Sequence, residues 1–368
     1  MKTFLIRIIC AIVFLAFTFS YVYIMQADYL TFVQHVWSGG QTHFNALIGA
    51  ALLTFVLVLL QRLTNVLTSL PLSAKALTYF PSFLLLSVIT CGTETSDGRI
   101  DLGNFWWVAI ILLVLFAFVC TILSELKIME NRITRFGPLS QIAWCNYTIM
   151  VLMMLMTLLV GNTESDLHMT TRIENKLAAK DYSTVTALIA QRNKADASTT
   201  MMLAYALSKQ QTLGDSLFCY PIEGGAQALI PQPDHSSAFR ICNNELIWRH
   251  LGSVPKTVGN VDVITFLKLL NRKDTVNAYA KDYLLTAYLL NKDLAPFIKE
   301  IGTERMDSVY PTLPAHYREA VILFKHTDDP NGLITISDSL LENQFNEYAK
   351  DRHHPSRRNY WTYFNEKD

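Results

Sequence analysis

The chain of 368 residues is 51% apolar and only 17% charged, and its formal net charge is zero. This composition is more apolar than that of a typical soluble protein, and it gives no electrostatic reason to expect nucleic acid as a partner. The six cysteines occur singly, without a CxxC pair, so the sequence supports neither a structural zinc site nor a thioredoxin-type motif. It predicts no metal and no cofactor.

The charged residues are distributed unevenly along the chain. Residues 1–161 contain 14 of the 62 Asp, Glu, Lys and Arg residues, and residues 162–368 contain the other 48. A spanning helix needs about 18 or more apolar residues, and the last run of this kind is at 142–160. The sequence therefore predicts a transmembrane domain over 1–161 and a second domain outside the bilayer over 162–368.

Apolar runs within the first domain predict five transmembrane helices. They lie at about residues 4–25, 44–60, 76–90, 105–123 and 142–160. The first run begins like a signal peptide but is too long and lacks a cleavage site, so we expect an uncleaved span. The third has only 15 residues and contains Pro81. It is short for a bilayer core about 30 Å thick, and its length alone leaves open whether it crosses.

Basic residues between the runs predict the orientation. With five crossings and a cytoplasmic N-terminus, only Arg99 lies in an outer loop. The cytoplasmic side then holds Lys2, Arg7, Arg62, Lys75, Lys127, Arg132 and Arg135. This is the positive-inside bias, and it disappears if the third run does not cross. The sequence therefore favours five spans, with residues 162–368 on the outer side.

The first outer loop, residues 26–45, contains the candidate catalytic residues. Its apolar positions recur at helical spacing up to Gly39 and Gly40, which predicts an interfacial helix that ends there. Asp28, His35 and His43 are candidates for an active centre at the membrane surface. The alternative is that they are the water-facing residues of that helix. Two histidines eight residues apart across a Gly-Gly turn do not have metal-ligand spacing.

The second domain has the pattern of short helices with brief connections. The segment AYALSK at 204–209 recurs as AYLLNK at 287–292 and weakly as AVILFK at 320–325. The last two are 33 residues apart, close to the ~34-residue period of tetratricopeptide helix pairs. The sequence therefore predicts an all-α protein in which an irregular, tetratricopeptide-like α-solenoid follows the five spans. A plain helical bundle with a chance match is the alternative.

Cys219 and Cys242 flank a loop that contains Gly and Pro residues. On the outer side of the membrane, where disulfides form and persist, they would be candidates for a disulfide. Two free thiols buried between helices are the alternative, because spacing alone does not show that the two Cα atoms lie within about 7 Å.

The C-terminal tail, residues 350–368, mixes basic and aromatic residues. This composition suits a segment that lies on anionic lipid or docks on a partner. The alternative is a last helix or strand that packs on the helical domain.

Several stretches from both halves resemble one family. They are VQHVWSGGQTHFN with the following GAALLTF, then LAYALSKQQTLGDSLFCYP, LPAHYREAVILF and NYWTYF. Together they resemble an uncharacterised family of multi-pass membrane proteins from Bacteroidota with a tetratricopeptide-like C-terminal region, of which this chain looks like a short form. The resemblance implies a Gram-negative inner membrane and a periplasmic solenoid. It implies no activity.

Two functions fit these features. A non-enzymatic scaffold would bind an envelope protein or peptide on its helical-repeat surface, as solenoids generally do, while its spans contact membrane lipid. An enzyme acting on a lipid-linked substrate, a reduced relative of membrane glycosyltransferases, would use the first outer loop. We prefer the scaffold, because the sequence alone places no Ser-His-Asp or Cys-His constellation. A transporter is less favoured, because no ionisable residue lies in the middle of a span; Asn146 and Pro81 are expected to serve helix packing.

Overall fold

A computed structural model provides the fold. It describes residues 2–95, 100–101, 103, 105–126, 140–234, 236–254, 262–272, 277–302, 306–327, 334, 336–350 and 358–366. These residues are predominantly helical, with one two-stranded hairpin, which confirms the prediction of an all-α protein. The chain forms two compact units, an N-terminal unit (Met1–Thr171) and a C-terminal unit (Arg172–Asp368).

Helices form most of the N-terminal unit. They are α1 (Lys2–Ser20) with a π-helical continuation (Tyr21–Met25), α2 (Ala27–Ser38), α3 (Ala46–Leu67), a 3₁₀-helix (Leu72–Tyr79), α4 (Phe80–Thr90), α5 (Phe105–Leu126), α6 (Gln141–Val160) and α7 (Ser165–Ala178), whose end belongs to the C-terminal unit. Strands β1 (Thr93–Glu94) and β2 (Ile100–Asp101) pair antiparallel, with Thr93 opposite Asp101.

Five helices in the described part of the chain are long and apolar enough to cross a membrane, as predicted. They are Phe4–Met25, Ala46–Leu67, Leu72–Thr90, Phe105–Glu125 and Gln141–Val160. The orientation stays a prediction, and four of the arginines and lysines on which it rests, Arg99, Lys127, Arg132 and Arg135, lie outside the described residues.

The third of these helices is longer than the sequence pattern indicated. The 3₁₀-helix Leu72–Tyr79 leads directly into α4, where Pro81 lies in the first turn and its missing N–H removes no helical hydrogen bond. At about 2.0 Å per 3₁₀ residue and 1.5 Å per α residue, the combined segment provides roughly 30 Å of helix. That length matches a bilayer core.

Asn146 on α6 secures this irregular segment. Its side chain accepts a hydrogen bond from the Ala76 N–H at 2.7 Å and donates one to the Leu72 carbonyl at 2.9 Å. Unpaired backbone groups are costly in hydrocarbon, so this single amide supplies partners that the 3₁₀-helix lacks. Asn146 therefore serves helix packing, as the sequence indicated.

The C-terminal unit consists of shorter helices. They are α8 (Tyr182–Ala190), α9 (Ala197–Lys209), α10 (Leu213–Ser216), α11 (Glu245–Leu251), α12 (Val263–Asn271), α13 (Ala278–Leu290), α14 (Leu294–Ile301), α15 (Met306–Val309), α16 (Ala315–Thr327), α17 (Ser339–Lys350) and α18 (Tyr360–Asn365), with 3₁₀-helices at Leu217–Cys219, Gly225–Leu229 and Tyr310–Thr312. The most buried helices are α9 and α13, which form its core.

Three turns in this unit have the same geometry. Lys180, Gln211 and Lys292 adopt left-handed conformations, with φ of 59°, 60° and 61°. In each turn the next residue donates its N–H at 2.9 Å to the carbonyl five residues earlier, the hydrogen bond of a Schellman cap. The same cap therefore joins three helix pairs, α7 with α8, α9 with α10 and α13 with α14.

These turns also correct the register of the repeat. Gln211 and Lys292 occupy equivalent positions and are 81 residues apart, and α9 and α13 each have 13 residues. The matching segments AYALSK and AYLLNK are 83 residues apart. When α9 and α13 are aligned through these turns, the two matching segments are therefore offset by two residues. The match arises because similar small and bulky residues recur along each buried helix.

The aromatic tail packs within the C-terminal unit. Tyr360 and Trp361 are buried on α18, which lies against α16. The Trp361 Nε1 donates to the Glu319 carbonyl at 2.8 Å, and Arg358 pairs with Glu366 at 2.6 Å. The described part of the tail thus ends in a last helix that packs on the helical domain, while Arg352 and Arg357 lie outside the described residues.

Candidate functional site

The first outer loop does not gather its candidate residues. Asp28 lies in the first turn of α2 and His35 in the last, so seven residues place them about 10 Å apart along the helix axis. The helix ends at Gly39, which has a φ of 60°. His43 lies beyond that end and is exposed. In the described part of the chain there is no group of three or more His, Cys, Asp and Glu residues that could hold a metal ion.

His35 and His43 do influence each other. The His35 ring covers Gly40, where an added Cβ would lie 3.1 Å from its Cε1 atom. Burial, and then the nearby His43, lower the pKa of His35 below its ordinary value. The lowered pKa favours the neutral form of the His35 ring.

The structure does not join Cys219 to Cys242. Neither cysteine forms a disulfide, and the two have different neighbours. The Cys242 Sγ donates to the Glu174 carbonyl at 3.5 Å, whereas the Cys219 Sγ lies 3.6 Å from the His316 Nε2. Each cysteine belongs to a separate polar cluster.

The cluster at Cys219 has the composition of a catalytic triad. His316 and Glu319 are three residues apart on α16 and therefore share one helix face. The His316 Nδ1 lies 2.9 Å from the Glu319 Oε2, and its Nε2 faces the Cys219 thiol. His316 is 2% exposed, while Cys219 is partly exposed. We call Cys219, His316 and Glu319 the thiol cluster.

Packing of α10 against the start of α16 brings the thiol cluster together. The Asp215 Oδ1 accepts the Ala315 N–H at 2.7 Å, which caps the first turn of α16. A Cβ on Gly214 would lie only 2.8 Å from Pro314, so this close approach requires glycine. The Phe218 ring then meets the His316 ring edge-on, with centroids 5.3 Å apart. The stretches LGDSLFCYP and LPAHYREA thus form one structural unit.

Two further contacts fix the acid of the thiol cluster. The Glu319 Oε2 accepts the Tyr360 N–H at 2.9 Å, and the Glu319 carbonyl accepts from Trp361. The helix α18 therefore holds Glu319 in the position from which it orients His316.

The charge state of His316 follows from these neighbours. Burial lowers the pKa of His316, but the hydrogen bonds and charges of Cys219 and Glu319 outweigh it and raise the pKa to about 9. The raised pKa favours the imidazolium form of the ring, which lies between Glu319 and the Cys219 sulfur.

A second buried histidine, His250, has no such acid among the residues that the structure describes. The His250 Nε2 lies 2.7 Å from the Ser208 Oγ, while the buried Nδ1 has no hydrogen-bond partner in the described structure. Burial, and then Lys209, lower the pKa of His250 to about 4. Ser208 and His250 are both buried, and the arrangement lacks the third member that would orient the ring.

Glu174 anchors the loop that precedes α11. Its carboxylate is completely buried and accepts backbone N–H groups from residues 240, 241 and 242 at 2.8, 2.7 and 2.8 Å. Burial raises the pKa of Glu174, and the three amides and Arg240 act in the opposite direction. Since backbone donors engage both carboxylate oxygens, this is a structural site.

A cavity of about 290 Å³ lies in the N-terminal unit between α1, α3, α6 and the 3₁₀-helix. Arg7, Arg62 and Lys75 line it together with apolar side chains such as Phe4 and Leu15, and none of its described lining residues is acidic. An apolar wall beside three cations is the complement of an anionic amphiphile.

Sequence reasoning missed the thiol cluster. Cys219 and His316 are 97 residues apart, so no local pattern connects them. A signal was present in the i, i+3 spacing of His316 and Glu319 on a predicted helix, which places an acid beside a histidine.

Comparison with known proteins identifies one family. The sequence model of a family of unknown function, DUF6057, matches residues 97–258 and 256–366. No curated protein and no solved structure matches the chain.

Proposed function

Because the chain belongs to DUF6057, a family of unknown function, we propose its role from its geometry: a membrane-anchored helical scaffold. In this proposal residues 1–161 anchor the chain in a bacterial inner membrane with the N-terminus in the cytoplasm. Residues 162–368 form a periplasmic, tetratricopeptide-like domain that binds an envelope protein or peptide.

The observation that best supports this proposal is that three pairs of helices are connected by turns of the same geometry. Stacked helix pairs of one geometry build an extended surface, and such surfaces bind peptides and proteins. Lys180, Gln211 and Lys292 repeat one cap in α7–α8, α9–α10 and α13–α14. Three such caps in one unit support a domain that is built of helix pairs.

Reporter fusions test the orientation. Alkaline phosphatase fused after residue 165 should be active, and a fluorescent protein at the same point should be dark, because only the first folds outside the cytoplasm. The reverse pattern would rule out five crossings from a cytoplasmic N-terminus.

Site-specific photocrosslinking in cells tests the scaffold. Leu269 and Leu340 are 57% and 70% exposed in the C-terminal unit, whereas Leu115 is exposed on the membrane-length helix α5. A photoreactive residue at 269 or 340 should yield one discrete protein adduct, and a residue at 115 should yield lipid adducts only. Absence of a protein adduct from both exposed positions would contradict the proposal.

The cavity favours a second role, the binding of an anionic lipid. Arg62 and Lys75 supply the bidentate and point-charge donors that phosphate groups prefer, and the apolar wall accepts an acyl chain. In the proposed orientation these residues face the cytoplasmic leaflet, whose anionic lipids attract basic residues by about 1 kcal/mol each.

Native mass spectrometry measures this lipid binding. In vesicles that mix phosphatidylglycerol and phosphatidylcholine, the protein should retain phosphatidylglycerol, and Arg62→Gln with Lys75→Gln should reduce that retention several-fold. Lys281→Gln, a matched change in the C-terminal unit, should have no effect. Equal retention by all three proteins would rule out the cavity as a lipid site.

An enzyme that uses the first outer loop has weaker support, since Asp28 and His35 lie two helical turns apart. In that case Asp28→Asn should abolish the cellular phenotype at an unchanged protein level. Normal behaviour of Asp28→Asn, His35→Ala and His43→Ala would exclude the loop as an active centre.

A further inference from the structure

We propose that the thiol cluster is a nucleophilic site, at which the Cys219 sulfur attacks the carbonyl carbon of a carboxylic ester or amide. The proposal goes beyond the scaffold role and does not depend on it. It also does not depend on which side of the membrane the C-terminal unit occupies.

Geometry assigns one role to each member. The 3.6 Å between the Cys219 Sγ and the His316 Nε2 allows a proton to pass between sulfur and ring. The Glu319 carboxylate, 2.9 Å from the Nδ1, holds the ring in orientation and stabilises its charged form. In a catalytic triad the nucleophile contacts the base, and the base contacts an acid that orients it. The thiol cluster has this arrangement.

Exposure differs in the direction that catalysis requires. Cys219 is partly exposed, so a substrate can reach the sulfur, while His316 is buried and its ring meets the Phe218 ring edge-on. The Ser208–His250 pair is buried at both members, and no substrate can reach it without local unfolding.

The charge state supports a thiolate at Cys219. The protonated ring of His316 beside the sulfur favours the anion, in the same way that neighbouring His⁺ lowers the pKa of reactive cysteines. Cys242 is the internal contrast, because burial, and then Glu174, raise the pKa of its thiol. One cysteine of the unit is therefore activated and the other inert.

The reaction balances with water as the second substrate. The thiolate forms a C–S bond as the carbonyl π electrons move to oxygen. Collapse of this intermediate breaks the bond to the alcohol or amine, which leaves with the proton from the His316 Nε2. Neutral His316 then takes a proton from water, whose oxygen attacks the thioester. The carboxylic acid departs, and the thiolate and imidazolium are restored.

Alkylation of the full-length protein in detergent tests the activated thiol. With iodoacetamide at pH 6, peptide mapping should show that Cys219 reacts at least about 10-fold faster than Cys242, with little change up to pH 8. An ordinary thiol has a pKa of about 8.5 and would gain nearly tenfold in rate per pH unit. That steep rise at Cys219 would overturn the proposal.

Turnover of p-nitrophenyl butyrate tests the nucleophile. The protein should release a burst of p-nitrophenol close to one equivalent and carry a butyryl group on the peptide that contains Cys219. Cys219→Ser should lower the rate by at least about 100-fold, and Cys242→Ala should retain it. Absence of a burst from the natural sequence, or an undiminished burst in Cys219→Ser, would refute the assignment.

Two positioning variants complete the test. Glu319→Gln preserves the shape of the side chain and should lower kcat about 10-fold or more while leaving KM nearly constant, because it alters His316 and not the substrate. His316→Gln should slow alkylation of Cys219 at pH 6 by on the order of 100-fold. Because His316 is buried, the His316→Gln variant risks misfolding. The decisive measurements are therefore the pH profile of Cys219 alkylation in the natural protein and the activity of Cys219→Ser, a change at a partly exposed residue.

Discussion

The surroundings of His250 and His316 differ, although both histidines belong to the C-terminal unit and are almost equally buried. The exposed fraction is 5% for His250 and 2% for His316. His250 lies against Ser208 and the rings of Tyr205 and Tyr279, with Lys209 as the nearby charge. His316 lies between Glu319 and Cys219. Their pKa values move in opposite directions, to about 4 and to about 9.

The difference teaches that burial alone does not set the charge of these rings. Desolvation disfavours the imidazolium at both sites. At His316 the contacts with Cys219 and Glu319 outweigh it, whereas at His250 the charge of Lys209 acts in the same direction as burial. The contacts of His316 with Cys219 and Glu319 therefore separate a charged site from a neutral one.

Matched removal of the two rings should give the largest effect. His316→Gln leaves the Glu319 carboxylate without its cation and should destabilise the unit by about 3–5 kcal/mol. His250→Gln removes a neutral hydrogen bond and should cost about 1–3 kcal/mol. The urea midpoint of the full-length protein in detergent, followed by pulse proteolysis, measures both. Equal losses would contradict the assigned charge difference.

Stability should reach its maximum near pH 6.5. The raised pKa of His316 contributes stability that is fully present below 6.5 and is lost as pH rises through 9. The lowered pKa of His250 contributes stability that is present above 6.5 and is lost as pH falls towards 4. Each contribution is about 3 kcal/mol.

The same urea midpoints at pH 5, 6.5 and 9 test this profile. His316→Gln should flatten only the alkaline side, and His250→Gln only the acid side. An alkaline loss that persists in His316→Gln would assign it to another group.

Ser208→Ala should have a smaller effect. It removes the 2.7 Å contact with the His250 Nε2 inside the core and should destabilise by about 1–2 kcal/mol. Ser183→Ala, at an exposed serine on α8, is the control and should change stability by less than about 0.5 kcal/mol. Equal values for the two serines would mean that the buried contact contributes nothing.

The smallest effect is expected at the surface, one turn from His250. Glu245 and Arg249 form an exposed i, i+4 pair on α11. Glu245→Gln should change the urea midpoint by less than the equivalent of about 0.5 kcal/mol, because solvent screens this pair. A loss comparable to that of His316→Gln would show that burial is not what strengthens the Glu319 contact.

Local patterns in the sequence determined much of the architecture. Continuous apolar runs identified five membrane-length helices, and Gly39 marked the end of α2. The helical repeat was visible at 204–209 and 287–292, although two residues out of structural register. These features depend on neighbours within one or two helical turns, where composition and spacing act directly.

Tertiary structure decided the features that depend on distant partners. In the third membrane-length helix, the Ala76 amide finds its partner in Asn146, 70 residues away along the chain. The aromatic tail packs on α16, where the Trp361 Nε1 donates a hydrogen bond to the Glu319 carbonyl. Residue type and spacing along the chain specify neither contact.

The candidate site shows the same division most clearly. The sequence contained a histidine and an acid in helical register at 316 and 319, yet it offered only Cys242, the nearest cysteine along the chain, as a candidate partner of Cys219. The approach of Gly214 to Pro314 and the cap from Asp215 to Ala315 place Cys219 at His316. The sequence determined the chemistry of each side chain. Helix packing determined which side chains are in contact, because a contact between residues 97 positions apart depends on the shape of the core.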